Sequence, residues 1–244
     1  MSDEWQFPPT RWTWVGQSAE PQGETSNQAM AAFCERYWKP LYAFARRSTS
    51  HPEDAEDLTQ GFFAHLLEKG LLAKADPDRG KLRSYLLIAF KRYMQHQWKK
   101  DSAQKRGGDH THVSWENLEE FNGYEPQASE SETPEHAFER SWAVMILSRA
   151  QDKLRQEEIA RGHEVEFQLL EPSISGVGDD AEDASSKELA AALGVSDVAV
   201  RQKIRRLRIR FGEKLREEVA ETLNTRDKET IDEEIRILIE ALRV

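Results

Sequence analysis

Arg201, Arg205 and Arg208, with Gln202 beside them, recur at helical spacing in "SSKELAAALGVSDVAVRQKIRRLRIRF", residues 185 to 211. Guanidinium groups match guanine edges and a carboxamide matches adenine, so these side chains can read base pairs in a major groove. Lys203, Arg206 and Arg210 stand nearer the path of the phosphates. Val200, Ile204, Leu207 and Phe211 form the complementary apolar stripe. A plain amphipathic helix with a solvated basic face is the blander alternative.

A second basic stretch, residues 79–106, holds nine Lys/Arg against one acid, Asp101. Tyr85, Tyr93 and Trp98 are interleaved with these cations. Opened DNA exposes bases that need stacking partners and a basic groove, and this mixture supplies both. Taken singly, each of the three aromatics reads sooner as core, and only their clustering argues for stacking on bases. The whole chain carries a formal net charge of −10, although residues 196–216 hold eight Lys/Arg against Asp197 and Glu213. Charge acts over roughly a Debye length, about 8–10 Å at physiological salt. Two local basic surfaces are therefore compatible with an acidic total.

Catalytic signatures are missing. The chain has no P-loop, no GxGxxG and no HExxH. His110 and His112 beside Asp109 lie in a Gly-rich stretch, and no metal or cofactor is expected. Cys34 is the single cysteine, which excludes an intrachain disulfide and a cysteine-built zinc site. It reads as a buried small side chain. No apolar run reaches the roughly 18 residues of a membrane span, and the N-terminus lacks a secretory pattern. A cytoplasmic, non-membrane protein is expected.

The elements that must position these residues are helical throughout. The spacing of Phe33, Tyr37, Leu41 and Phe44 predicts a helix over 29–48, kinked or divided at Pro40. A second helix follows, capped by Ser50 or Thr49, with acids in its first turn. Leu58, Phe62, Phe63, Leu66 and Leu67 form its apolar face, and Gly70 stops it. The acids Glu53, Asp54, Glu56 and Asp57 suit the helix dipole, and they suit a partner's surface equally. "KADPDRGKL" reads as a turn. A third helix spans 82–100, with Leu82, Leu86, Ala89 or Phe90, and Tyr93 inward.

Residues 107–137 are polar, acidic and Gly/Pro-containing, and read as a linker. Helical spacing resumes at "HAFERSWAVMILSRAQDKLRQEEIARG", followed by a polar loop over about 171–184. Ser185 and Glu188 fit a capping box for a short helix ending at the Gly194 turn, where Val195 packs. Ser196 caps the basic helix. Thr230 and Glu233 fit a capping box for a last helix with Ile231, Ile235, Leu238, Ile239 and Leu242 on one face. The fold class is all-α: two helical domains joined by an acidic linker. The divisions are 1–28, an N-terminal Trp-rich segment; 29–106, the first domain; 107–137, the linker; 138–226, a helix-turn-helix domain; and 227–244, a C-terminal amphipathic helix.

"PEDAEDLTQGFFAHLLEKG" and "DRGKLRSYLLIAFKRYMQHQWKK" together resemble region two of bacterial sigma factors of the sigma-seventy family. Residues 185–211 resemble region four. "FPPTRWTWV" and "RYWKPLYAFARR" are similar to a group of extracytoplasmic-function (ECF) sigma factors common in planctomycete-type bacteria. The resemblance implies a non-enzymatic initiation factor whose partners are core RNA polymerase, at its clamp and flap, and promoter DNA. An anti-sigma factor or other regulator is a further implied partner. Asp57, Leu58 and Gln60 match the family's "AEDLxQ" and would bind the polymerase clamp. Gly61 departs from the acid usual at its place. Arg79 and Gly80 match the opening of the loop for a flipped promoter base. Those two, with Lys91, Arg92, Gln95, His96, Lys99 and Lys100, would meet the minus-ten element. Ser196, Arg201, Gln202, Arg205, Arg206 and Arg208 would meet the minus-thirty-five element. The acidic linker would be a tether through the polymerase cleft, or simply a solvated connection. The other reading of the same residues is a stand-alone helix-turn-helix regulator with an N-terminal sensing or dimerisation domain.

Overall fold

The computed structural model describes residues 24–72, 75, 80–104, 132–174 and 182–243. Among these, the elements are α1 (Glu24–Ser48), α2 (Pro52–Glu68), α3 (Leu82–Gln104), α4 (Pro134–Ala160), α5 (Glu164–Leu170), a 3-10 turn (Glu171–Ser173), α6 (Glu182–Leu193), α7 (Asp197–Leu223) and α8 (Lys228–Ala241). No strand occurs among the described residues, so the all-α expectation holds. The Trp-rich N-terminal segment, Arg79, His110, His112 and most of the linker lie outside them.

The chain divides into two compact units. The first comprises Met1–Val144, Glu221–Arg226 and Arg236–Val244; the second comprises Met145–Ala220 and Asp227–Ile235. The boundary between them falls inside α4, and that helix begins at Pro134.

Aromatic packing builds the first unit. α1 contributes Phe33, Tyr37, Trp38, Leu41 and Phe44 to its core, α2 contributes Phe62, Phe63 and Leu66, and α3 contributes Leu82, Leu86, Phe90 and Met94. The Trp38 and Phe63 rings stack at 5.7 Å, and Phe62 meets Phe90 at 4.8 Å. Tyr37 stacks on Trp142 of α4 at 5.1 Å. Burying an apolar side chain such as Phe62 or Leu66 contributes roughly 1.5–3 kcal/mol. Pro40 does not divide α1; it lies inside one continuous helix and is buried.

The caps differ in detail from expectation. His51, not Ser50 or Thr49, stands at the N-cap of α2, with Pro52 supplying the pre-set first turn. The Thr49 hydroxyl instead donates to the Ala45 carbonyl at 3.0 Å, which closes the end of α1. Gly70 does follow the end of α2, at a φ of +56° that favours glycine. Leu67 is exposed rather than part of the apolar face.

In the second unit, Leu154, Phe167, Leu170, Ile174, Ala190, Val200, Ile204 and Leu207 form one core, with Leu189, Leu193 and Phe211 packed against it. The helix-turn-helix is α6, a turn at 194–196, and α7. Gly194 takes φ +64°, and the Val195 amide returns to the Ala190 carbonyl at 3.1 Å. Val195 itself is exposed rather than packed. α6 starts at Glu182, so Ser185 lies within the helix and is not its cap. Thr230 is likewise not the cap of α8. Asp227 is, taking the Thr230 amide at 2.8 Å on its carboxylate.

Candidate nucleic-acid interface

α3 presents two unlike faces. Its inner face is Leu82, Leu86, Phe90 and Met94. Ile88, Arg92, Gln95 and Lys99 recur at four, three and four residues, so they share the outer face, and all are exposed. His96 and Lys100 flank that face and are also exposed. Ile88, half of whose surface is open at 51%, was not singled out by charge or aromatic pattern. Trp98 is exposed as well.

One expected nucleic-acid contact on α3, Lys91, has a structural duty, and so does the neighbouring cation Arg83. Lys91 pairs with Glu135 at 2.6 Å and lies over the Phe44 ring at 5.4 Å. That hydrogen bond from Lys91 holds the Glu135 carboxyl below its usual range. Arg83 is buried, 3.3 Å from Glu139 and 5.8 Å from the Trp142 ring. The aromatics divide in the same way. Tyr85 donates its hydroxyl to the Leu71 carbonyl at 2.9 Å, and Tyr93 packs on Phe62 and His65. Both are therefore anchored in the bundle, whereas Trp98 faces outward. Gly80, exposed at φ +123°, adopts a backbone that a side chain would strain.

On α2, Asp57 is exposed, and Leu58 and Gln60 are half-buried beside it. Gly61, one turn on from Asp57, faces α3. A Cβ at position 61 would fall against the Tyr93 hydroxyl, with Cζ of that ring 3.4 Å away. The departure from an acidic residue at this position thus has a local cause: the tyrosine occupies the space.

The basic helix of the second unit is sorted equally sharply. Arg201, Gln202, Arg205 and Arg206 are exposed. Ser196 caps α7, its Oγ accepting from the Ala199 amide at 3.3 Å. Arg201 forms an ion pair with Asp197 one turn earlier. Arg208 instead donates Nε and Nη2 to the Ser173 carbonyl at 3.2 and 2.9 Å. Lys203 grips both Glu166 oxygens at 2.8 Å. Arg210 pairs with Glu157 at 3.1 Å and with Glu158. Burial raises the Glu158 carboxyl, but hydrogen bonds from Arg210 and His163 outweigh it and hold it below its usual range. These three cations brace α7 from behind, a role that residue type and spacing do not reveal.

Among the described residues, no group of three or more His, Cys, Asp or Glu could hold a metal, and no helix is long and apolar enough to cross a membrane. Burial pushes the Cys34 thiol up to about 11, so it stays protonated and unreactive at neutral pH.

The first unit thus carries an exposed polar, basic face on its third helix, and the second unit a helix-turn-helix whose capped second helix has an exposed basic face. Residues 33–104, spanning α2, α3 and most of α1, match the family model for Sigma-70 region 2. The match likens this one segment of the chain to region 2 of sigma-70 factors of RNA polymerase, proteins that serve promoter recognition and transcription initiation. No curated protein and no solved structure matches the chain.

Proposed function

We propose that this chain is an ECF-type sigma factor of the planctomycete-like group. It binds core RNA polymerase, directs it to promoters and opens the minus-ten element. The observation that carries this reading is the outer face of α3, Ile88–Arg92–Gln95–Lys99, lying within the segment that matches sigma region two. Single-stranded DNA needs cations for its backbone and flat or apolar surfaces for its bases. Arg92, Lys99 and Lys100 supply the first, and Ile88 and Trp98 the second.

Asp57, Leu58 and Gln60 on α2 dock the polymerase clamp. Gly80, with Arg79, opens the loop that holds a flipped base, and Gln95 and His96 lie on the following helix. Arg201, Gln202, Arg205 and Arg206 on α7 read the minus-thirty-five element from a helix capped by Ser196, while the same region meets the flap. In this reading the factor works in the cytoplasm, and residues 107–137 tether the two halves. An anti-sigma factor or other regulator remains a natural further partner for such a factor.

Mixing the purified chain with sigma-free core polymerase tests this directly. The expected result is a one-to-one complex by size-exclusion chromatography at moderate salt, which then supports run-off transcription from a genomic promoter library. A footprint on a palindrome in the absence of polymerase, with no complex, would replace this reading by a stand-alone regulator.

A further inference from the structure

We propose that Val198 is a specificity-determining residue that receives a thymine methyl group in the upstream promoter element. This role rests on the sigma-factor reading above and adds to it a residue that charge and hydrogen-bonding capacity do not point to.

Val198 is 58% exposed, whereas Val200, two residues on, is fully buried in the core of the second unit. Scattered exposed valines are ordinary on protein surfaces. This one sits in the first turn of α7 (Asp197–Leu223), the end of a recognition helix that enters a major groove. It shares its face with Arg201 at i+3, Gln202 at i+4 and Arg205 at i+7, all exposed. An apolar side chain thus lies among the hydrogen-bonding side chains assigned to base edges.

The start of α7 is held firmly. Gly194 turns at φ +64°, and Ser196 takes the Ala199 amide at 3.3 Å. Arg201 is drawn toward Asp197 by their ion pair, one turn along from that cap. A β-branched side chain in a helix has one strongly preferred χ1 rotamer, so the two methyl groups of Val198 are already oriented and lose little freedom on contact.

In the major groove, each base pair presents donors and acceptors, and thymine adds the C5 methyl. Valine has no donor or acceptor with which to satisfy a cytosine amino group or a guanine carbonyl. Opposite those bases it leaves polar edges dehydrated, and opposite thymine it buries a methyl group. Val198 therefore selects thymine at one position by a combination of apolar contact and polar penalty.

The test uses holoenzyme assembled from the full chain and core polymerase, and duplexes whose upstream block is randomised. After selection, each thymine of the preferred upstream block is replaced singly by deoxyuridine, which removes only the C5 methyl. We expect wild-type holoenzyme to bind about fourfold more weakly at one such position, the worth of one buried methyl group. Val198→Ala should bind the thymine and deoxyuridine duplexes equally, with unchanged melting temperature and holoenzyme assembly. Val198→Thr, nearly the same shape with a hydroxyl in place of one methyl, should lose part of the thymine preference. An absence of any deoxyuridine effect, or the same effect in Val198→Ala, overturns the role of Val198 while leaving the sigma-factor reading intact. Failure to assemble holoenzyme, or assembly with no preferred upstream block, sinks both.

Discussion

Tyr93 and Gly61 show how one residue pair settles a local question. The Tyr93 ring lies 5.7 Å from Phe62 and 5.3 Å from His65, and its hydroxyl fills the space above Gly61. Gly61→Ala should therefore destabilise the first unit by about 1–3 kcal/mol through overpacking, despite the better helix propensity of alanine. Combining it with Tyr93→Phe removes the clashing hydroxyl and leaves Cζ at 3.4 Å, so the double variant should recover most of that loss. Urea unfolding of the four proteins in the cycle measures the coupling, and additive effects would contradict the contact. At the same scale, Arg205 and Arg208 look interchangeable in the sequence but differ in duty. Arg205→Ala should cost ~1–3 kcal/mol in upstream-element affinity at one base position and leave the melting temperature unchanged. Arg208→Ala breaks its two bonds to the Ser173 carbonyl and should lower stability by about 1–2 kcal/mol together with affinity. Mobility-shift titrations read beside thermal melts separate the two.

Among the elements, α2 combines a buried side made of Phe62, Phe63 and Leu66 with an outer side that includes Asp57. Asp57→Ala touches no core contact. It should weaken association with core polymerase while changing stability by less than about 0.5 kcal/mol, as checked by co-elution and by melting. Where α4 meets α7 within the second unit, Glu157 and Glu158 hold Arg210. Burial alone would raise both carboxyls, but the guanidinium bonds lower them below their usual range. A folded-state value below the unfolded one means that this stability is fully present above the unfolded carboxylate range and is lost as pH falls through the folded values. Stability measured by urea midpoint should thus fall as pH drops through and below the ordinary glutamate range, and Glu158→Gln should flatten part of that fall. An unchanged acid limb in Glu158→Gln would show that Arg210 draws little from Glu158. Element existence was legible from the recurrence of apolar residues at three and four positions. Element ends were not, because caps compete locally. Asp227 precedes Thr230 and takes its amide first, and α6 runs back to Glu182, past Ser185.

For the whole molecule, net charge is a poor guide to what it binds. The chain is acidic overall at −10, yet exposed cations gather on α3 and on α7. If Lys99 and Lys100 track the backbone of the opened strand, removing one of them should reduce the slope of log affinity against log salt by about 0.7 per lost contact. Titration of holoenzyme on promoter DNA at several salt concentrations measures this. Loss of affinity with an unchanged slope would place that lysine away from phosphate.

The sequence by itself determined the class of fold and the order of its parts. Helical periodicity, glycine turns and clustered charge are local properties, written in residues a few positions apart. It also pointed to the outer faces of α2, α3 and α7, because a buried stripe implies an opposite one. Only the tertiary structure decided which cations on those helices face solvent and which brace the fold. Lys91, Lys203, Arg208 and Arg210 meet Glu135, Glu166, Ser173 and Glu158, respectively, across dozens of residues. Long basic side chains reach whichever carboxylate or carbonyl the fold brings near, and that neighbour is set by packing rather than by spacing. Gly61 follows the same rule, since its want of a side chain is explained by a tyrosine on the next helix.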